Sequence, residues 1–167
     1  ERARRLLGAG SGSTTLDWGG KSAVQMLTVS NRDNMRINNL YFKNCGVVLD
    51  NCDGSHIKNC RFDGHAGKTW ENDKKLVQVK GGSHGCLIQN LNIDWDNTSV
   101  NLNPISVNAS NNCTVQDNVV TGRLEQGIVM NGATGGLIRN NQLTRDSGTP
   151  GAGAGGNIAK GEDHAIY

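Results

Sequence analysis

Apolar residues recur along this chain in short alternating runs, not at helical spacing. The segments LTVSNRDNMRINNLYF (27–42) and VVLDNCDGSHIKNCRF (47–62) align without a gap at an offset of 20 residues. Both hold an alternating apolar run, a polar turn, and then the pattern apolar-any-Asn-variable-any-apolar. That second half returns at Ile88-Gln89-Asn90-Leu91-Asn92-Ile93 and at Ile138-Arg139-Asn140-Asn141-Gln142-Leu143. Val115-Gln116-Asp117-Asn118-Val119-Val120 fits with Asp in the Asn place. The anchors Ile37, Ile57, Ile88, Val115 and Ile138 are 20, 31, 27 and 23 residues apart. Eight or nine residues before each anchor ends an alternating pair: Leu27/Val29, Val47/Leu49, Val77/Val79, Ile105/Val107 and Ile128/Met130. Alternation with period two is the signature of a strand with one buried face.

Each repeat therefore predicts three short strands. The first is L-T-V-like, a polar turn such as 31–34 follows, and an M-R-I-like strand comes next. A one-residue turn at Asn39 leads to the L-Y-F-like third strand, after which the spacing varies and a variable loop is placed. No segment sustains a 3.6-residue period, and 23 Gly together with Asn and Asp punctuate the whole length. Self-similarity of this kind predicts a solenoid. One coil of this length cannot bury its own apolar face. Stacked coils, about 4.8 Å apart, bury a continuous core and pair their strands in parallel. The chain thus reads as one all-β domain over 1–167, a single-stranded parallel β-helix of about six coils.

The repeated Asn gives a physical check on that stacking. Asn39, Asn59, Asn90, Asp117 and Asn140 would lie one above another at a tight bend. Asn tolerates left-handed backbone, and its amide can donate to one copy and accept from the next, which makes a structural ladder. Met35, Ser55, Cys86, Cys113 and Gly136 form an interior packing column of the same kind.

These residues resemble right-handed parallel β-helix proteins of the pectate-lyase-like superfamily. The opening Leu7-Gly8-Ala9-Gly10-Ser11-Gly12-Ser13-Thr14-Thr15-Leu16 is similar to the first coil of many members, phage tailspikes included. The resemblance spans roughly 7–167 and implies the right-handed fold. It is weak for activity, because the fold hosts many functions.

Composition narrows the field. The net charge of +2 comes from scattered Lys and Arg, which does not indicate nucleic acid as a partner. No apolar run is long enough to span a membrane, so membrane insertion is not expected. The first residue is Glu, and 163–167 resembles the start of another first strand, so both ends read as cut or as capped by another chain. Cys60, Cys86 and Cys113 fall at interior positions and are expected to be buried free thiols; Cys45 and Cys52 sit near turns, where a disulfide is left open. No Cys or His spacing suggests zinc, and the Gly-rich run 151–156 lacks the Lys-Ser/Thr of a phosphate loop.

In enzymes of the resembling family the substrate groove runs along the first strands and is walled by loops after the third. Those loops here are 63–75, 94–103, 121–126 and 144–164, and long loops on a rigid scaffold tend to carry function. The outward positions of the first strands form two rows: Ser30, Asp50, Lys80, Asn108, Asn131 and Thr28, Val48, Gln78, Ser106, Val129. Polar rows beside aromatic loops suit an extended sugar chain. Trp70 and Trp95 would stack on sugar faces, and Gln78, Asn108 and Asn131 would bind hydroxyls. A plain solvated sheet face is the competing reading.

Two chemistries compete for the same groove. A glycoside hydrolase needs two carboxylates about 5–10 Å apart, drawn from Asp50, Asp94, Asp96, Glu125 and Asp163. A polysaccharide lyase needs a base, for which Lys80, Arg123 or His164 is the candidate. Lyases of the resembling family often use calcium, which Asp50 and Asp94 would adjoin; no other cofactor is implied. The sequence lacks the paired Asp motifs of polygalacturonases and the acidic calcium cluster of pectate lyases. Ser83-His84-Gly85 falls in the first turn, away from the groove. The leading expectation is an extracellular, secreted or virion-surface protein that binds and cleaves a polysaccharide. The alternative is a non-catalytic β-helix section of a tailspike, adhesin or cell-surface protein, with a homo-oligomer, a trimer in the tailspike case, as its assembly.

Overall fold

A computed structural model describes residues 4–19, 25–64, 75–95, 103–122, 124 and 126–145. Within them 17 strands run in chain order and every strand pair is parallel. Each coil gives one strand to each of three sheets. The first sheet holds β3 (Gln25–Ser30), β6 (Cys45–Asp50), β9 (Val77–Lys80), β12 (Ile105–Asn108) and β15 (Ile128–Asn131). The second holds β1 (Arg5–Leu7), β4 (Arg36–Asn38), β7 (His56–Lys58), β10 (Leu87–Gln89), β13 (Thr114–Gln116) and β16 (Leu137–Arg139). The third holds β2 (Thr15–Asp17), β5 (Tyr41–Lys43), β8 (Arg61–Gly64), β11 (Asn92–Trp95), β14 (Val119–Gly122) and β17 (Gln142–Arg145). The architecture is a right-handed parallel β-helix. No helix among the described residues is long and apolar enough to cross a membrane.

Register follows the sequence repeat. Ile37, Ile57, Ile88, Val115 and Ile138 stack as partners in the second sheet, with the first four at or near zero exposure. Phe42 and Phe62 stack in the third sheet with ring centroids 4.8 Å apart and planes 10° off parallel. Alternation along each strand sends one set of side chains into the lumen, and stacking joins them into one apolar column.

The corners are held by left-handed residues. Asn39, Asn59, Asn90, Asp117 and Asn140 have φ of 60°, 54°, 53°, 58° and 53°. The first corner begins on Asn31, Asn51, Gly81, Ala109 and Gly132 and ends on Asn34, Gly54, Gly85, Asn112 and Gly135, all at positive φ. Amides link coils at these corners: Asn90 Nδ2 donates to Asn59 Oδ1 at 2.8 Å and Asn51 Nδ2 to Asn31 Oδ1 at 2.8 Å. Inside the corners the sheet ladders lapse, so buried main-chain N–H groups need other acceptors. Side chains provide them. Ser55 Oγ accepts from Met35 N–H at 3.0 Å, Ser83 Oγ from Cys52 N–H at 2.9 Å, and the fully buried Asn118 accepts from Leu91 N–H at 2.9 Å.

Three expectations change. Asp63, Asp94 and Thr121 pair in register within the third sheet, so the third strands run further than the sequence pattern indicated and these residues are not in loops. Cys45 and Cys52 are both buried and free, with no disulfide. Cys45 opens β6 and Cys52 lies beyond its end, so about 17 Å of extended strand separates them, far beyond disulfide reach. The row Val48, Gln78, Ser106 is buried and not solvated, at 5 %, 5 % and 0 % exposure.

Ala109 is the one residue of its corner column that is neither Gly nor Asn, at φ 47°. Left-handed backbone costs an ordinary L-residue roughly 1–2 kcal/mol, so Ala109→Gly is expected to raise stability by about 0.5–1 kcal/mol in urea unfolding. Asn59→Val, which combines β-branching with loss of the ladder amide, is expected to lower it by about 2–3 kcal/mol. A destabilised Ala109→Gly would contradict the strain assignment.

Candidate functional site

The first-sheet face carries the row anticipated for ligand contact. Ser30, Asp50 and Lys80 are register partners, as are Asn108 and Asn131. Lys80 Nζ lies 3.7 Å from Asp50 Oδ2, both groups more than a third exposed. Asp50 is further confined because its carboxylate occupies the space where a side chain at Gly81 would start. Beside this row stand the buried Gln78 and the fully buried Ser106, whose Oγ has no hydrogen-bond partner among the described residues. A buried hydroxyl left unpaired costs about 1–3 kcal/mol, so Ser106 is a polar group held without compensation next to the row.

Asp94 stands elsewhere. It projects from β11 on the third sheet and accepts a hydrogen bond from Thr121 Oγ1 at 3.2 Å. Asp50 and Asp94, one at the end of a first strand and one on a third, do not share a face, so the structure does not pair them across one bond. Trp95 has its backbone in β11. Trp70, Asp96, Arg123, Glu125, Asp163 and His164 lie outside the described residues. His84 is taken up in the first corner, where its Nδ1 accepts Asn111 N–H at 2.9 Å and its N–H donates to Asp53 at 2.7 Å.

A second polar group went unnoticed in the sequence. On the third-sheet face Arg61 grips Asp63 through Nε at 2.9 Å and Nη2 at 3.0 Å, and its guanidinium lies 5.0 Å from the centre of the Tyr41 ring. Tyr41 donates its hydroxyl hydrogen to Asp63. Burial first, and then Asp63, push the Tyr41 phenol up to about 12. Lys43 and Asp17 pair at 3.6 Å on the same face. The signal for this cluster was the third-strand alternation carried two residues further, which turns Tyr41, Arg61 and Asp63 outward together.

The five thiols point the other way, into the lumen. Burial pushes Cys45 and Cys60 up to about 11. Cys86 and Cys113 influence each other's titration: Cys113, and then burial, raise Cys86, while Cys86 lowers Cys113. The same sulfurs lie against carbonyl oxygens, Cys86 at 3.1 Å from Cys52 O and Cys113 at 3.3 Å from Ser83 O.

Fold and faces together define a parallel β-helix scaffold with a packed lumen and polar outward ladders. Residues 14–167 match the family described as periplasmic copper-binding protein (NosD), and the chain belongs to this NosD family. No curated protein and no solved structure matches. The family description places its members in the periplasm, which agrees in coarse terms with an extracytoplasmic location and lends nothing to a virion surface. It speaks for a parallel β-helix and is silent on lyase or hydrolase activity.

The family description names copper, and the described residues do not build a site for it. No group of three or more His, Cys, Asp or Glu that could hold a metal ion occurs among them. Thiolates are the soft donors that select Cu(I); the buried Cys86 and Cys113 sulfurs lie against carbonyl oxygens and belong to no cluster of three metal-ligating side chains among the described residues.

Two measurements follow from these environments. All five Cys are expected to resist iodoacetamide in the native protein and to react once it is unfolded; rapid native labelling would place a thiolate at the surface. In a Tyr167→Phe background Tyr41 is the one remaining tyrosine. Its ultraviolet titration is expected near 12, and Asp63→Asn should lower it while leaving it above 10.0, because burial is the larger cause. A phenol whose folded value is raised stabilises the fold fully below pH 10.0, and that contribution is lost as pH climbs towards about 12.

Proposed function

We propose that this chain is an extracytoplasmic binding β-helix whose first-sheet face holds an extended carbohydrate. The observation that carries the reading is the outward row itself. Asp50, Lys80, Asn108 and Asn131 offer carboxylate, ammonium and amide groups at successive coils in one register. A sugar chain presents hydroxyls and carboxylates at regular intervals, and donors and acceptors repeating every coil meet that need without a deep pocket. Gln78 flanks the row, and the unpaired Ser106 Oγ lies behind it.

The reading extends to binding and not to cleavage. Hydrolysis needs two carboxylates about 5–10 Å apart on either side of one bond, and Asp50 and Asp94 stand on different sheets. Lys80 lies 3.7 Å from the Asp50 carboxylate, an arrangement that suits a polar contact with a ligand.

Binding is tested by isothermal titration of the full chain against neutral and uronate-containing oligosaccharides, with reducing ends and ultraviolet absorbance of unsaturated product followed in parallel. Lys80→Ala and Asn108→Ala are each expected to weaken binding about fivefold to tenfold, as loss of one polar contact of roughly 1–1.4 kcal/mol implies. Binding indifferent to both substitutions would remove the first-sheet reading. New reducing ends alone would replace it with hydrolysis, and unsaturated product would replace it with lyase chemistry.

A further inference from the structure

The second sheet differs from the other two in the sign of its outward charge. Each of its strands turns the first and third residues out, and the four central ones, β4, β7, β10 and β13, bury the middle residue. None of those outward positions is acidic. In the first three coils they bring together Arg5, Arg36 and His56 as direct register partners, with Lys58 in the neighbouring row. Every ion pair between described residues lies on the other sheets: Lys43–Asp17 and Arg61–Asp63 on the third, Lys80–Asp50 on the first. Asp33 and Asp53, each three residues before a member of this set in the sequence, accept main-chain hydrogen bonds at the first corner, Asp33 Oδ1 from Asp53 N–H at 2.9 Å and Asp53 Oδ1 from His84 N–H at 2.7 Å.

Like charges directly opposite one another in a sheet repel, and no ion pair among the described residues involves this set. The local field is felt by His56, whose imidazole titrates below its ordinary value because of burial and then because of Arg36 and Lys58. Arg36 is also fixed in place. Its Nη1 donates to Met35 O at 3.1 Å and to Gly54 O at 2.8 Å, which pins one side of the guanidinium to the main chain. The rest of the fork has no partner among the described residues, and a guanidinium fork matches a carboxylate or sulfate in geometry.

We propose that Arg5, Arg36, His56 and Lys58 form a second binding strip, on the second-sheet face, for a linear acidic polysaccharide laid along the solenoid axis. The strip is three residues wide and repeats a cation at each coil, about 4.8 Å apart, which suits a single extended chain bearing a negative group on its successive units. A bilayer fits less well: Arg36, His56 and Lys58 are only partly exposed, and in these coils only Leu7 is an exposed apolar side chain on the face. Nucleic acid fits less well because no outward position of the sheet is Phe, Tyr or Trp, which leaves bases little to stack on. The strip lies on a different sheet from the Lys80 row, so the two readings stand or fall separately.

The test is binding of the full chain to polygalacturonate, to dextran as a neutral control, to phosphatidylglycerol vesicles and to duplex DNA, each at low and high salt. The expected result is salt-sensitive binding to polygalacturonate that falls at least tenfold in the double variant Arg36→Glu, Lys58→Glu. The milder pair Arg36→Gln, Lys58→Gln should weaken it at least threefold with an unchanged circular dichroism spectrum, which separates loss of the strip from loss of fold. Each double variant is made in a Lys80→Ala, Asn108→Ala background, which removes any contribution of the first-sheet row, and Lys43→Gln on the third sheet should leave this binding intact. The proposal is overturned by absent polygalacturonate binding, by equal binding to dextran, by binding that survives both double variants, or by a clear preference for vesicles or DNA.

Discussion

The coils close and stack because single residues at fixed places hold the backbone at positive φ. Every turn of the solenoid must reverse direction at its corners without lengthening, since one extra residue would shift a strand by one position and turn its apolar set outward. Asn39, Asn59, Asn90, Asp117 and Asn140 meet that demand in one column at φ between 53° and 60°. Asn does so with a side chain that also bonds the neighbouring coil, as Asn90 does with Asn59. Where Asp117 interrupts the ladder, one of its carboxylate oxygens accepts from the Gln89 and Gln116 amides, each at 3.0 Å. The charge changes and the corner geometry does not. From that geometry follow the in-register pairing of Ile37, Ile57, Ile88 and Val115 and the parallel rings of Phe42 and Phe62.

The lumen carries the second consequence of in-register stacking, because whatever occupies an interior position meets its own counterpart one coil away. Apolar counterparts pack. Polar ones must bond, and the corners show how: Asn118 Nδ2 donates to Asn141 at 2.8 Å while its Oδ1 accepts from Leu91, so a fully buried amide is satisfied along the axis. Cys86 and Cys113 occupy successive places in one interior column, and each sulfur lies against a main-chain carbonyl. Free thiols are vulnerable in an oxidising compartment such as the periplasm. These five are protected by position, sealed in a lumen whose packing they help to complete.

Much of this was legible in the sequence, for a physical reason. A repeat whose core positions recur at matched offsets states the register directly, so the strands around Ile37, Ile57 and Ile88, the Asn corners and the outward row Ser30, Asp50, Lys80 could be read without coordinates. Strand ends were less legible. Asp63, Asp94 and Thr121 are polar and followed by irregular sequence, so they resembled loop residues, yet they pair with one another in the third sheet. Ladder pairing does not depend on side-chain hydropathy, and an outward position in a strand is as free to be polar as a loop is. The same ambiguity hid the Tyr41, Arg61, Asp63 cluster. The burial of Gln78 and Ser106 was invisible for a different reason: alternation tells which way a side chain points, not whether that side is open to water.

A solenoid separates these faces more completely than a compact globule does. Each coil contacts only its neighbours, and each sheet turns outward a set of positions on which the lumen places no demand. The third sheet uses that freedom to neutralise its charges among themselves, with Arg61 on Asp63 and Lys43 on Asp17. The first sheet pairs Lys80 with Asp50 and then turns to amides at Asn108 and Asn131. The second sheet leaves Arg5, Arg36 and Lys58 unneutralised, although any of its outward positions could take a carboxylate at no cost to the core. Random scatter of charge would favour mixed signs on all three faces, since opposed charges in register stabilise a ladder and like charges weaken it. A face that forgoes this stabilisation is explained most simply by a partner that restores it, and the narrow, axial layout of the cations limits the partner to something equally narrow and oppositely charged.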